Sequence, residues 1–240
     1  MRWYLGPEGD QRLWFEPDEI EMIIEDELRK SGLRPTAAAP ITELERFIEG
    51  HLGAELDQYA PLEPDVLGLT LFVPGKPAAI SINSTLTAAA LDDEEASRGR
   101  LGRFRATLAH EAGHVVLHRV LFELRDGQRE LFGSTGKTAR GLMRCLKRDV
   151  GPRSHASDWR EIQANRAMAA LLMPRRLFKT GARLQLTALG IAHPEAGSNE
   201  AVAAARGLAD MFAVSEQAAS IRLETLGLVV PPGTTPFAGV

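Results

Sequence analysis

The chain has 240 residues, of which 44% are hydrophobic and 25% charged, and its formal net charge is −4. This composition is typical of a globular protein with room for one large domain and a small appendage. No stretch approaches the roughly 18 apolar residues of a membrane-spanning helix, and the N-terminus lacks the apolar core of a secretion signal. The single cysteine excludes an internal disulfide, so we expect a cytoplasmic protein.

The N-terminal part of the chain predicts two helices. The acidic segment from Pro17 to Arg29 favours a helix, because Gly32 and Pro35 follow its end. Residues 36–40 predict a linker, and apolar residues at helical spacing predict a second helix from Ile41 to Leu52. We therefore expect a helical extension over residues 1–35, a domain over 41–228 and a flexible tail over 229–240.

Two strands are predicted next, from Val66 to Val73 and from Ala78 to Asn83. The intervening sequence Pro-Gly-Lys-Pro favours a turn, so the strands should form a hairpin. An extended peptide substrate could add to an exposed edge of this hairpin through main-chain hydrogen bonds. The other interpretation is an ordinary sheet edge with no such role.

The feature most informative about function is the sequence His110-Glu111-Ala112-Gly113-His114. It lies in a proline-free stretch from Leu101 to Arg119 that predicts a helix, so the two histidines share one helical face. Two imidazole nitrogens on one face can bind a zinc ion, and Glu111 can accept a proton from a zinc-bound water. Ala112 and Gly113 are small enough for a substrate or a strand to approach.

Catalytic zinc usually takes a third protein ligand. A second predicted helix begins at Asp158, runs to Met173 and is stopped by Pro174. Glu161 in its first turn is the best donor, and the other interpretation of this residue is a capping box with Asp158. Asp158 is the rival ligand, and spacing alone does not separate the two carboxylates.

These two segments together resemble the ImmA/IrrE family of bacterial and phage metallopeptidases. The motifs are Arg105 to His118, Trp159 to Asn165 and Ala169 to Pro174, and the similarity extends from about Leu44 to Gly227. The resemblance implies zinc ligands His110, His114 and Glu161, with Glu111 as the general base. It also implies that the substrate is a helix-turn-helix transcriptional repressor, cleaved under stress or on induction of a mobile element. The stretch between His118 and Asp158 is long for the family.

Two further side chains near these motifs invite a metal-binding interpretation. In a continuous helix His118 lies about 12 Å along the axis from His110 and is rotated by roughly 80°, so one ion cannot bind all three histidines. We expect His118 to pack or to support a ligand. Cys145 has basic neighbours that would favour the thiolate, which could cap the zinc, although a lone cysteine is usually an inert filler.

Two other segments could serve a partner. Residues 119–160 carry ten positive and five negative side chains, a net +5, and could bind an acidic partner or form a solvated loop. Residues 201–226 resemble a helix-turn-helix in outline, with Ser215 as N-cap of the second helix. Acidic residues outnumber Arg206 and Arg222 there, so we expect helical packing and not direct nucleic-acid binding.

The sequence therefore predicts an α+β, zincin-like fold with helices packed on a small sheet. The metal site lies between the helix of residues 105–118 and the helix of residues 158–173. The predicted activity is zinc-dependent endopeptidase cleavage of a repressor. The alternative is a non-catalytic, zinc-containing regulator that binds a repressor or DNA.

Overall fold

The structure, a computed structural model, describes residues 2–5, 11–91, 97–123, 141–146 and 158–233. Its mixture of helices and small sheets confirms the α+β class. The helices are α1 Pro17–Lys30, α2 Ser84–Leu91, α3 Ser97–His118, α4 Val120–Glu123, α5 Trp159–Leu172, α6 Arg175–Ala188, α7 Asn199–Phe212 and α8 Glu216–Thr225. The strands are β1 Arg2–Leu5, β2 Gln11–Trp14, β3 Glu55–Ala60, β4 Val66–Phe72, β5 Ala79–Asn83 and β6 Gly141–Leu146.

The first predicted helix is confirmed as α1, and the second is replaced by a shorter segment. A capping box formed by Glu16 and Glu19 begins α1, with Pro17 in its first turn. The predicted helix over residues 41–52 is wrong in extent, since a π-helical turn covers only Arg46–His51. In this wider turn the adjacent side chains of Phe47 and Ile48 are both fully buried.

The predicted hairpin is confirmed as β4 and β5, which pair antiparallel. The four-stranded sheet has the order β3-β5-β4-β6, with β3 parallel to β5 and β6 antiparallel to β4. Both hairpin strands therefore lie in the interior of the sheet. The expectation that the hairpin offers an exposed edge for a substrate is wrong, because β3 and β6 cover its two sides.

Helices α3 and α5 pack face to face at the centre of the molecule. Small side chains, among them Ala109 and Ala112 of α3 and Ala164 and Ala167 of α5, are fully buried where the helices meet. Side chains of β2 and α1, including Leu13 and Ile20, join the same hydrophobic core. The segment predicted as an N-terminal extension thus shares its core with the elements that carry the candidate ligands.

The C-terminal helix pair confirms the predicted outline, and its cations are paired within the protein. Ser215 caps α8 by accepting a hydrogen bond from Ala218 N, 3.1 Å away. The guanidinium of Arg222 donates to both carboxylate oxygens of Glu21 and to the carbonyl of Met173. Arg206 donates to Glu216. Both arginines of the predicted helix-turn-helix are therefore engaged in internal contacts.

Replacing Arg222 by methionine is expected to lower the free energy of unfolding by about 3 kcal/mol. The Arg222 and Glu21 side chains are only 4% and 11% exposed. Among the described residues, the substitution leaves Glu21 with Arg175, 3.8 Å away, as its cationic partner. Arg206→Met is the control and should cost less than about 1 kcal/mol, since that pair is exposed. Urea denaturation measures both variants, and equal losses would contradict the prediction.

After α8, the chain forms a short bridge to the loop before α7. Val230 pairs with Glu195, and Val229 is buried. The rest of the predicted tail, residues 234–240, lies outside the described residues. Within the described ranges, no helix has the length and apolar character needed to cross a membrane.

Candidate metal centre

A close approach of α3 and α5 positions the candidate ligands. His110 and His114 lie one turn apart on α3 and face Glu161 in the first turn of α5. Between the histidines, a Cβ atom on Gly113 would lie 2.9 Å from Cβ of Ala167 and 3.2 Å from the carbonyl oxygen of Ala164. The small size of Gly113 thus serves the packing of α3 on α5, and not the approach of a substrate or a strand at this position.

Gly113→Ala is expected to destabilise the protein by about 1–3 kcal/mol, because the new methyl group forces two packed helices apart. Gly99→Ala is a matched control on the same helix, where a Cβ would meet no atom within 4 Å. That variant should gain about 0.5–1 kcal/mol from the higher helix propensity of alanine. Urea denaturation compares the two, and similar stabilities would contradict the packing argument.

The donor atoms of His110, His114 and Glu161 converge on one point. The two Nε2 atoms lie 3.1 Å apart. The Glu161 oxygens lie 3.0 Å from Nε2 of His110 and 3.3 Å from Nε2 of His114. Ligands at 2.0–2.1 Å from a tetrahedral zinc ion are about 3.3 Å from one another. The three side chains therefore fit a shared metal ion with little movement, and the group could hold one.

A polar contact holds the His110 ring in an orientation suited to this role. Its Nδ1 lies 3.0 Å from Oδ1 of Asn165, which can only accept, so Nδ1 donates and Nε2 faces Glu161. Burial opposes a positive charge on the ring, but the contact with Glu161 and the charge of Glu111 raise the pKa of His110 above its usual value. The surroundings thus favour a cation at this point.

The charge states of the other two ligands also suit a cation site. Burial disfavours a charged Glu161, but the contacts with His110 and His114 bring the pKa of its carboxyl below the usual range. Burial lowers the pKa of His114, which keeps this ring neutral near pH 7. A neutral imidazole and an ionised carboxylate are the forms that bind a metal.

The choice between Glu161 and Asp158 is decided by the contacts of each side chain. Asp158 is the N-cap of α5, accepting a hydrogen bond from Arg160 N at 3.0 Å, and it also binds the Arg160 side chain. The Glu161 carboxylate contacts the two histidines. The rival ligand therefore caps the helix, and Glu161 is the carboxylate at the candidate metal site.

Glu111 lies beside the site, with its carboxylate directed at the sheet. Its Oε2 accepts a 2.5 Å hydrogen bond from the hydroxyl of Thr70 on β4. No described N–H or O–H group reaches the buried Oε1. Burial raises the pKa of Glu111 to about 7, although the His110 charge and the Thr70 hydrogen bond act in the opposite direction. A carboxylate with this pKa can gain and lose a proton near neutrality.

Two residues around Glu111 were missed by sequence reasoning. A Cβ on Gly68 would lie 2.6 Å from Oε1 of Glu111 and 2.8 Å from Cγ2 of Thr107, so only glycine allows β4 to approach α3 this closely. A glycine inside a predicted strand is a known sign of such an approach. No comparable sequence signal identifies Thr70 as the residue that orients Glu111.

The predictions for His118 and Cys145 have different outcomes. His118 supports a ligand, since its Nδ1 lies 3.0 Å from Nδ1 of His114. The buried Cys145 forms a possible ligand group with His110 and Glu111, not with His114 and Glu161. As placed, its thiol does not share one ion with all three predicted ligands. His118 contacts the candidate ligand His114, in line with the expectation that it packs or supports a ligand.

A separate cavity of about 530 Å³ is lined mainly by residues of α1, α3, α5 and α8. Its wall includes Ala106 of α3, Asn165 of α5 and Ile221 of α8. None of the three candidate ligands lines it. The cavity and the candidate metal centre are thus distinct features that share Asn165.

Comparison of the sequence with protein-family models gave no match, and comparison with curated proteins gave none either. The resemblance to metallopeptidases accordingly rests on the two motifs themselves. Much of the predicted basic segment, residues 124–140 and 147–157, lies outside the described residues. Its proposed binding of an acidic partner stays a prediction.

Proposed function

We propose that the protein is a zinc-dependent endopeptidase of zincin-like architecture, similar to the ImmA/IrrE family. The observation that carries the proposal is the convergence of His110, His114 and Glu161 next to Glu111. Two imidazole nitrogens and one carboxylate are a ligand set that catalytic zinc sites use, with a fourth position left for water. Such an ion, when bound, acidifies water and polarises a carbonyl group.

Each of the protein's own residues has a defined part in this proposal. Asn165 orients the His110 ring, and Thr70 holds one oxygen of Glu111. In this proposal the Glu111 carboxylate accepts a proton from the attacking water and delivers it to the leaving amine. A pKa of about 7 suits both steps near neutral pH.

The proposed substrate is a helix-turn-helix transcriptional repressor, and this part comes from the family resemblance alone. The test is incubation of the zinc-loaded protein with the repressor encoded nearest to its gene. We expect discrete fragments, which electrophoresis and mass spectrometry detect. The fragments should no longer form when a chelator removes the zinc. An intact repressor with fully zinc-loaded protein would count against the proposal.

One observation favours the alternative of a non-catalytic zinc-containing regulator. His110 and His114 have no exposed surface, and Glu161 is only 8% exposed. A structural zinc site is closed, whereas a catalytic one keeps a position open to substrate. Under this alternative, repressor binding persists without cleavage. Direct DNA binding has less support, because Arg206 and Arg222 are paired internally.

A further inference from the structure

A chain of hydrogen bonds connects His114 with the N-terminal hairpin, which is the antiparallel pair of β1 and β2. Nδ1 of His114 lies 3.0 Å from Nδ1 of His118, and Nε2 of His118 lies 3.2 Å from Oε1 of Gln163. Nε2 of Gln163 then donates to the carbonyl oxygen of Leu13 on β2, 3.1 Å away. His114, His118 and Gln163 are all fully buried, so no water replaces these partners in the folded protein.

The donor and the acceptor of every hydrogen bond in this chain follow from the group at its end, the carbonyl oxygen of Leu13. A carbonyl oxygen cannot donate, so the Gln163 amide must present its NH₂ group to Leu13 and its oxygen to His118. That oxygen can only accept, so His118 carries its proton on Nε2. Its Nδ1 then has a free lone pair and accepts a hydrogen bond from the Nδ1–H group of His114. The remaining nitrogen of His114, Nε2, is left with a free lone pair.

We infer that His118 and Gln163 are positioning residues that fix the ring tautomer of His114 and so prepare its Nε2 for a metal ion. Asn165 does the same for His110. The two Nε2 lone pairs and the Glu161 carboxylate then face one another within 3.3 Å. Three acceptors at this distance repel unless a cation, either a metal ion or a proton on one of the rings, lies between them. The inference rests on the metal site in the proposed function.

Through this chain of hydrogen bonds, the N-terminal hairpin contributes to the orientation of a candidate metal ligand. Leu13 contributes only its main-chain carbonyl, and this carbonyl sets the orientation of the whole chain. The hairpin and α1 are fixed independently by core side chains such as Phe15 and Ile20. The segment predicted as an extension thus supplies the terminal acceptor for a ligand more than a hundred residues away in sequence.

The first experiment measures zinc affinity by competition with a chromophoric chelator, using the full-length chain. His118→Phe and Gln163→Leu remove one link each, and we expect a ten- to hundredfold loss of affinity, as for other groups that orient metal-bound histidines. His118→Gln restores an acceptor for His114 and should recover part of the loss. His193→Phe, at an exposed site, and Leu171→Met, in the core, control for unspecific effects. Wild-type affinity in both test variants would overturn the inference.

The second experiment reads the tautomer directly, by ¹⁵N nuclear magnetic resonance of the histidine rings in the metal-free wild-type protein. We expect the His114 proton on Nδ1 and the His118 proton on Nε2. A His114 proton on Nε2 would overturn the inference even if no variant folds. If the tautomers are as expected but zinc does not bind, the proposed function fails instead. If zinc binds and both test variants bind it equally well, only the positioning role fails.

Discussion

Alanine at His110, His114 or Glu161 is expected to abolish stoichiometric zinc binding. The two Nε2 atoms and the nearest Glu161 oxygens lie 3.0–3.3 Å from one another, so each of the three side chains could bind the same ion. Structural zinc sites bind with about 10–16 kcal/mol, or about 3 kcal/mol for each of four ligands. Loss of one ligand should therefore weaken binding more than hundredfold. Elemental analysis and chelator competition on the purified variants measure the effect.

Asp158→Ala is the matched control for this experiment. Asp158 was the rival ligand in the sequence, and in the structure it caps α5. The variant should keep its zinc while losing about 1 kcal/mol of stability with the cap. Zinc loss in Asp158→Ala together with retention in Glu161→Ala would show that the ligand assignment is wrong.

Glu111→Gln is expected to retain zinc and to lose repressor cleavage by about two to four orders of magnitude, the usual contribution of a general base. The amide fills the space of the carboxylate and can still accept from Thr70 through its oxygen, but it cannot take a proton from water. Quantified fragment formation by the zinc-loaded variant and wild type measures the ratio.

The control for this variant is Glu224→Gln, which removes an exposed carboxylate on α8 and should leave cleavage unchanged. Repressor binding is measured alongside cleavage, by pull-down with the purified repressor. Undiminished cleavage by Glu111→Gln would rule out the proposed mechanism. If neither wild type nor variant cleaves the repressor but both bind it, the non-catalytic regulator is the better description.

The helices and strands that form the site were predicted from the sequence with little error in their bounds. A proline-free apolar stretch predicted the helix observed as α3. Asp158 and Pro174 correctly indicated the two ends of the helix observed as α5. These predictions succeed because helix boundaries depend on capping residues and prolines a few positions away. The hairpin of β4 and β5 was predicted correctly for the same reason, because a Pro-Gly turn lies between two segments rich in strand-forming residues.

The errors arose where distant segments decide the outcome. No pattern near Val66–Phe72 indicates that β6, some seventy residues later, pairs with it and removes its free edge. No pattern within residues 41–52 indicates that a π-helical turn over Arg46–His51 replaces a longer α-helix. Sheet neighbours and core contacts depend on tertiary packing, which outweighs local propensity.

The sequence alone determined which functional groups are available for metal binding and proton transfer. They are two imidazoles on one helical face, a glutamate between them and a second carboxylate at the start of another helix. Residue types and helical periodicity are local, so they can be read without coordinates. Only the tertiary structure separated Asp158 from Glu161, and only it showed that Thr70 donates to Glu111 and that the Leu13 carbonyl accepts from Gln163. Those contacts join residues far apart in the chain, and buried polar groups must find such partners wherever the fold brings them.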